Sequence, residues 1–245
     1  MLFHSTAFAV FFIIVFILYI KLPHKLQNRM LLIASYIFYG AWEWKYLALL
    51  FISTLTDYFC ALGVEKSEDS LKKRFVYLSV FINLTLLGIF KYYGFFAENF
   101  QNLMASFGVE THPYFLNIAL PVGISFYTFQ SISYTVDVYR GKLKACNNFL
   151  DFSLYVSFFP QLVAGPIERG TRLLPQILNA RKITKENIIK GLYCIFWGLF
   201  LKVVIADNMA NLVDPIYDID KSPNGILTLL ATYSFAIQIY CDFSG

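Results

Sequence analysis

The sequence predicts an all-α membrane protein, a polytopic helical bundle with about seven transmembrane segments and one Pro-broken re-entrant segment. Its composition indicates this class, because 58% of the 245 residues are hydrophobic and only 15% are charged. A typical soluble domain carries about 25% charged residues. The apolar residues also form blocks that approach the roughly 20 residues a helix needs to cross a hydrocarbon core. The chain is therefore expected to lie in lipid.

The membrane-spanning helices are predicted from the length and hydropathy of the apolar blocks. These blocks are residues 2–20, 30–42, 44–64, 75–96, 115–136, 188–206 and 226–240. The first block has no basic region before it and is followed by the basic residues 21–29. We therefore interpret it as a retained helix rather than a cleaved secretory signal.

A further apolar stretch, residues 149–167, contains Pro160, Gly165 and Pro166. Proline removes a backbone donor, and lipid offers no replacement partner for the groups that are left free. We therefore expect this segment to enter the membrane and return on the same side, held by neighbouring protein rather than by lipid.

Lysine and arginine residues cluster in alternate loops, at residues 21–29, 66–74 and 140–144. The basic stretch at residues 169–190 joins the same side only if the Pro-broken segment is re-entrant. Since cytoplasmic loops carry the excess of basic residues, this pattern predicts that the N-terminus lies outside. The loops at residues 98–112 and 207–221, which are poor in lysine and arginine, are expected on the outer side.

Charge and cysteine usage argue against several other classes of protein. The net charge of +4 comes from short loops rather than from one basic face, so no nucleic-acid footprint is indicated. The cysteines form no CxxC pair and no cluster with histidine; they are Cys60, Cys146, Cys194 and Cys241. Neither a metal site nor a disulfide framework is therefore predicted.

Polar residues inside apolar segments are candidates for function, because placing them in lipid is unfavourable. Lys91, Lys202 and Asp207 lie near segment ends, where snorkelling or a boundary position accounts for them. Asp57 and Asn83 lie deeper in their segments. For these two, an interhelical hydrogen bond and a substrate role both remain open.

The densest polar signal occupies two stretches, LPVGISFYTFQSISYTVDVYRG at residues 120–141 and FFPQLVAGPIERG at residues 158–170. The first places Asp137 among several hydroxyls, and the second places Gln161, Glu168 and Arg169 beside broken backbone. Irregular backbone at membrane depth is tolerated where it lines a cavity, which favours a pocket or tunnel wall. The alternative is a structural turn with Glu168 and Arg169 in an aqueous loop.

Together with residues 31–58, 198–210 and 239–245, these stretches resemble the N-terminal half of bacterial membrane-bound O-acyltransferases, in the alginate O-acetyltransferase branch. The resemblance implies that residues 1–245 are the N-terminal portion of one such transmembrane domain, incomplete at its C-terminus. It also implies a multi-pass protein of the bacterial cytoplasmic (inner) membrane.

By this resemblance, the protein moves an acetyl group from a cytoplasmic donor, acetyl-CoA or another acyl thioester, towards hydroxyls of an extracytoplasmic polysaccharide. A periplasmic acetyltransferase partner completes transfer in many members of the branch, and no bound cofactor is expected. The candidates for lining the donor path are Asp137, Gln161, Pro166, Glu168, Arg169, Asp242 and Ser244.

Other functions stay open. Family members that transfer D-alanyl groups to cell-wall polymers are the nearest alternative. A transporter is another, although secondary transporters usually pair broken helices in two related halves and only one broken segment is found here. A non-catalytic membrane scaffold is a third.

No catalytic residue is predicted in this chain. The family's catalytic histidine lies in a later segment, whereas His4, His24 and His112 have the positions of ordinary loop or interface histidines. A cysteine nucleophile is disfavoured, because apolar surroundings make a thiol unreactive. Residues 1–245 alone are therefore expected to be inactive.

Overall fold

The computed structural model describes residues 3–109, 121–162, 165–218 and 224–245, which form helices joined by irregular segments and contain no strand. This confirms the predicted all-α class. The helices are α1 (Thr6–Lys21), α2 (His24–Glu43), α3 (Leu47–Lys66), α4 (Asp69–Leu87), α5 (Tyr93–Ser106), α6 (Ile124–Tyr139), α7 (Phe149–Ser157), α8 (Phe159–Leu162), α9 (Gly170–Leu178), α10 (Lys185–Leu199), α11 (Asp207–Tyr217) and α12 (Gly225–Ser244). A π-helical turn joins α4 to α5 at Gly88–Tyr92, and another joins α10 to α11 at Phe200–Ala206.

Within the described residues, four helical stretches are long and apolar enough to cross a membrane, and α1 is a shorter apolar helix. The four are His24–Lys66, Asp69–Ser106, Lys185–Tyr217 and Gly225–Ser244. The first is interrupted at Glu43, whose backbone is extended at φ −158° and ψ 105°. It therefore contains two helices, α2 and α3, of 20 residues each. Each is about 30 Å long, which matches a hydrocarbon core.

The prediction of loops at residues 98–112 and 207–221 is wrong over much of their length, because these residues are largely helical. Helix α5 continues to Ser106, and α11 occupies Asp207–Tyr217. No proline or positive-φ glycine interrupts the chain before Gly108 in one case and before Pro215 in the other, so each helix propagates past its apolar block. The remaining parts of these loops, residues 110–120 and 219–223, lie outside the described residues, as does His112.

The chain forms two compact units, Phe12–Arg181 and Leu2–Phe11 with Lys182–Gly245. The first unit contains α2 to α9 and most of α1. The second contains α10 to α12, and its helices α11 and α12 pack against each other, with Tyr217 Oη 3.0 Å from Thr232 Oγ1.

A buried polar cluster joins α3, α4 and α6 at the centre of the first unit. Asp57 accepts hydrogen bonds from Ser79 Oγ and from Asn83 Nδ2, the latter at 2.8 Å. Asn83 Oδ1 in turn accepts from Ser53 Oγ at 2.7 Å, and Thr135 Oγ1 on α6 lies 3.4 Å from Asp57 Oδ1. All five side chains are buried. The hydrogen-bonding interpretation of Asp57 and Asn83 is thereby confirmed.

The basic loops of the first unit lie at one end of it. Tyr58 Oη, in the second half of α3, donates to Asn147 O at 2.8 Å. A ring nitrogen of His24, at the start of α2, lies 2.8 Å from Ile177 O near the end of α9. The start of α2 therefore lies beside the end of α9, and the loop that follows α6 lies beside the second half of α3, as the alternation of basic residues requires.

A thiol-labelling experiment tests which side of the membrane this end faces. Cys146 is a poor reporter because it is buried, and burial raises the pKa of its thiol. Lys142 is exposed at the same end, and Lys45 is exposed between α2 and α3. In a Cys194→Ser background, we expect Lys142→Cys to react with a membrane-impermeant maleimide only from the cytoplasm, and Lys45→Cys only from outside. The reverse labelling in intact cells would contradict the orientation.

Candidate functional site

The Pro-broken segment forms a hairpin that begins and ends at the same level of α2. The side-chain amide of Asn28 donates to Asp151 Oδ1 at 2.8 Å, in the first turn of α7, and to Ile177 O at 2.9 Å, in the last turn of α9. Helices α7 and α9 have 9 residues each, about 13.5 Å, which is too short to cross a hydrocarbon core. The segment therefore turns back within the first unit, as a re-entrant segment requires.

Neighbouring protein satisfies the backbone at the turn of the hairpin. The chain leaves α7 at Phe158, and the next N–H, that of Phe159, donates to Ser35 Oγ on α2 at 3.2 Å. Gly165 N–H donates to Gln161 O at 3.2 Å. A Cβ on Gly165 would lie only 2.6 Å from Gln161 Cα, so the tight return needs glycine at this position. The backbone N–H groups of Phe159 and Gly165 are thus hydrogen-bonded within the protein, as is required where lipid offers no partner.

The returning segment of the hairpin, residues 165–170, packs against α6 and α7. Tyr155 Oη donates to Glu168 O at 3.2 Å, and Gln130 Nε2 on α6 donates to Tyr155 O at 2.8 Å. Gly170 allows close packing, because a Cβ there would lie 3.1 Å from the Tyr134 ring. The Glu168 carboxylate lies 3.7 Å from Arg172, whose side chain is largely exposed, so this ion pair adds little stability.

Four of the predicted site residues lie at the turn and in the return of the hairpin, with Gln161 in α8 and Pro166, Glu168 and Arg169 after it. The Gln161 side chain is half-buried, and its Nε2 has no hydrogen-bond partner among the described residues. Buried amide donors are normally satisfied, so this nitrogen is available to a bound group. Pro166 and Arg169 are exposed, whereas Asp137 is buried on the neighbouring helix α6.

The other two predicted site residues, Asp242 and Ser244, lie on α12 in the second unit. Asp242 Oδ1 accepts from Lys202 Nζ at 2.6 Å, and Asp207 Oδ1 lies 2.8 Å from the same nitrogen. Lys202 is therefore ion-paired rather than only snorkelling, which corrects the interpretation from its position near a segment end. It lies in a π-helical turn, a feature that is frequent at functional sites. Ser244 is exposed.

The residues of α2 that hold the hairpin are not among the predicted site residues. Asn28 lies in the basic stretch at residues 21–29, which the sequence predicts as a loop, but α2 begins at His24 and buries Gln27, Asn28 and Ser35. Two of them, Asn28 and Ser35, lie seven residues apart and so share one face of the helix. A polar pair at this spacing on an apolar helix is the signal that indicates their role.

Neither histidine in the described part of the chain lies at the turn or in the return of the hairpin. His24 is engaged with the Ile177 carbonyl, and His4 is exposed before α1. In the same part of the chain, no group of three histidine, cysteine or acidic residues is placed to hold a metal ion, and the four cysteines are free thiols.

Comparison with known proteins gives relatives over the whole chain. It is 38% identical over 249 aligned residues to the probable alginate O-acetylase AlgI of Pseudomonas putida, covering 100% of this chain and 50% of the relative. It is 38% identical over 242 residues to a peptidoglycan O-acetyltransferase of Helicobacter pylori, covering 88% of this chain and 45% of the relative. A teichoic acid D-alanyltransferase of Bacillus subtilis is 28% identical over 53% of the chain.

The chain spans about half the length of the alginate O-acetylases that it matches. Neither a protein-family model nor a solved structure matches it. An identity of 38% across the full 245 residues nevertheless agrees with the resemblance seen in the ordered sequence stretches. The chain therefore fits an alginate O-acetylase-like portion of the membrane-bound O-acyltransferase family.

Proposed function

We propose that the chain is the N-terminal portion of a membrane-bound O-acyltransferase that moves an acetyl group from a cytoplasmic thioester, acetyl-CoA, towards hydroxyls of an extracytoplasmic polysaccharide. The observation that carries this proposal is the 38% identity over the whole chain to proteins named as O-acetylases. The names of the relatives pair an acyl group with alginate, peptidoglycan or teichoic acid, all of which are polymers.

The hairpin suits acyl transfer between opposite sides of a membrane. From the start of α7 to its end the chain rises about 13.5 Å, which is roughly half of a 30 Å hydrocarbon core. A donor from the cytoplasm and an acceptor from outside would then meet near the turn that carries Gln161. Because a thioester is already activated, the protein mainly has to position it against the acceptor hydroxyl beside a general base.

The remaining parts of the proposal concern location and completeness. The basic end of the first unit is cytoplasmic, the N-terminus is outside, and the protein belongs to the bacterial inner membrane. The catalytic histidine is supplied by a segment beyond Gly245, and a periplasmic acetyltransferase partner receives the acetyl group. The alternation of basic loops supports the orientation, and the identity to AlgI proteins over about half their length supports a further segment.

Transfer of a D-alanyl group to a cell-wall polymer is the second candidate. The observation that favours it is the 28% identity to a teichoic acid D-alanyltransferase over 138 residues. This relative covers 53% of the chain, compared with 100% for the alginate O-acetylase of Pseudomonas putida, so acetyl transfer is the stronger proposal.

The two candidates differ in the label that reaches the polymer. Cells carrying a version of the protein extended to the length of its relatives should place acetyl groups from labelled acetyl-CoA in their extracytoplasmic polysaccharide. Label from D-alanine should stay at the background of cells without the gene. Incorporation of D-alanine without acetyl would overturn the first proposal in favour of the second.

Substitution in the return of the hairpin should reduce acetyl transfer more than it reduces the amount of folded protein. In the extended version, we expect Gln161→Ala or Arg169→Ala to lower activity per folded molecule by roughly 10- to 100-fold, since small errors in positioning have effects of this size. Acetyl transfer and folded protein, from size-exclusion chromatography, are measured on the same membranes.

Arg74→Ala is the matched control, because Arg74 is exposed on α4, away from the hairpin. We expect it to retain full activity per folded molecule. Unchanged activity in both Gln161→Ala and Arg169→Ala would show that the return of the hairpin is only a structural turn.

A further inference from the structure

A cavity of about 270 Å³ lies in the first unit between α1, α2 and the hairpin. Its wall is mainly apolar and aromatic and includes Phe12, Phe16, Leu31, Phe158 and Leu173. Arg181, which follows α9, also lines it. An apolar cavity with a cationic side chain suits a ligand that has an apolar part and an anionic part.

Arg181 has capacity for an anionic partner. One guanidinium nitrogen donates to Asn28 Oδ1, and the guanidinium carbon lies 5.5 Å from the centre of the Tyr19 ring. Its Nε is buried and has no hydrogen-bond partner within the described part of the chain. Nor does Arg181 belong to any ion pair found there. A buried N–H group without a partner is unfavourable unless a ligand accepts from it.

The point at which Arg181 contacts α2 indicates how deep in the membrane its charge lies. It bonds Asn28, in the part of α2 that also carries Lys25 and Arg29. The opposite part of the cavity is lined by Phe159, whose N–H bonds Ser35 seven residues further along α2, about 10 Å away. The cavity thus runs from the basic end of the unit towards membrane depth.

We propose that this cavity binds one acyl chain of an anionic glycerophospholipid, with the lipid phosphate at Arg181. Basic pockets between transmembrane helices attract anionic headgroups in this way. The volume lies below the roughly 300 Å³ at which drug-sized pockets begin, which fits part of a single narrow chain. A partner helix, about 10 Å across, is too wide. The proposal concerns lipid binding and does not depend on the acyl-transfer activity.

Native mass spectrometry of the purified protein in detergent tests the proposal. The probes are dioleoyl phosphatidylglycerol, which is anionic, and dioleoyl phosphatidylcholine, which has the same chains and no net charge. We expect phosphatidylglycerol to be retained in preference, and Arg181→Gln to reduce its retention about fivefold, as expected for the loss of one basic side chain near the membrane surface. Glutamine removes the positive charge while keeping a polar side chain.

Two further variants separate a specific site from general charge or misfolding. Arg181→Lys should retain phosphatidylglycerol, and Lys190→Gln, which removes an exposed charge elsewhere, should have no effect. Equal retention of the two lipids, or wild-type retention by Arg181→Gln, would overturn the proposal. Displacement of phosphatidylglycerol by acetyl-CoA would also overturn it, because the cavity would then belong to the acyl donor.

Discussion

Membranes that carry residues 1–245 alone are expected to transfer acetyl groups at least about 100-fold more slowly than membranes with the extended version. General-base catalysis contributes roughly 100- to 10,000-fold, and it requires a base within about 2.6–3.2 Å of the proton that it removes. His24 is occupied by the carbonyl of Ile177 at the basic end of the unit, and His4 is exposed before α1. His112 lies outside the described residues, and the sequence gives it the position of an outer-loop residue.

The measurement is the transfer of label from acetyl-CoA to polymer, with both versions at equal amounts of folded protein. Retention of phosphatidylglycerol by both versions serves as a folding control that does not require activity. Comparable acetyl transfer by the short chain would show that it already contains the base, and the interpretation of the histidines would then be wrong.

Removal of the carboxylate at the centre of the first unit should have the largest effect on stability. Asp57→Ala removes the acceptor of Ser79 Oγ and of one Asn83 amide hydrogen in a fully buried site, although Asn83 Nδ2 still donates to Ser79 O at 3.0 Å. Unsatisfied buried groups cost about 1–3 kcal/mol each, although hydrogen bonds between membrane helices are often weaker. We therefore expect the free energy of unfolding in mixed micelles to fall by about 2–4 kcal/mol.

A substitution of matched size provides the control for this prediction. In Asp57→Asn the amide oxygen can accept from Asn83 Nδ2, and the amide nitrogen can donate to Ser79 Oγ, because a hydroxyl both donates and accepts. Asp57→Asn should thus be more stable than Asp57→Ala. If Asp57→Ala unfolds within about 0.5 kcal/mol of wild type, the cluster does not hold α3, α4 and α6 together.

Much of the fold follows from the sequence because lipid restricts what a chain can do. Apolar blocks on either side of Glu43 predict α2 and α3 as separate helices, and the structure interrupts the helix at that residue. Pro160, Gly165 and Pro166 predict the hairpin, since broken backbone at membrane depth has to be packed within protein. These features depend on local sequence, which is why they could be predicted.

Features that depend on partners distant in sequence could not be predicted. Hydropathy indicates where lipid contact ends but not where a helix ends, so the continuation of α5 to Ser106 and the formation of α11 were missed. Lys202 and Asp242 are 40 residues apart, and only the packing of α12 brings them together. Arg181 lies in a basic stretch that indicates topology alone, and its contact with Asn28 crosses 153 residues.

The sequence also predicts the part of the candidate site whose residues are close together in the chain, and not the part that depends on distant residues. Gln161, Pro166, Glu168 and Arg169 are close in sequence, and one turn of the hairpin gathers them. Asp242 and Ser244 belong to the second unit, which no pattern in the sequence indicates. Asn28 and Ser35 bind the hairpin without belonging to any stretch that resembles a functional motif.

The dependence of the hairpin on α2 has a consequence for biosynthesis. Ser35 receives the N–H of Phe159, 124 residues later in the chain. At 5–20 residues per second, a ribosome takes about 6–25 s to make that interval. During this time α2 has to wait, in the insertion machinery or in lipid, with the polar groups of Asn28 and Ser35 lacking their final partners. Completion of the hairpin therefore supplies these partners, and a ribosome pause before Phe159 should lengthen the time in which α2 is exposed to membrane quality control.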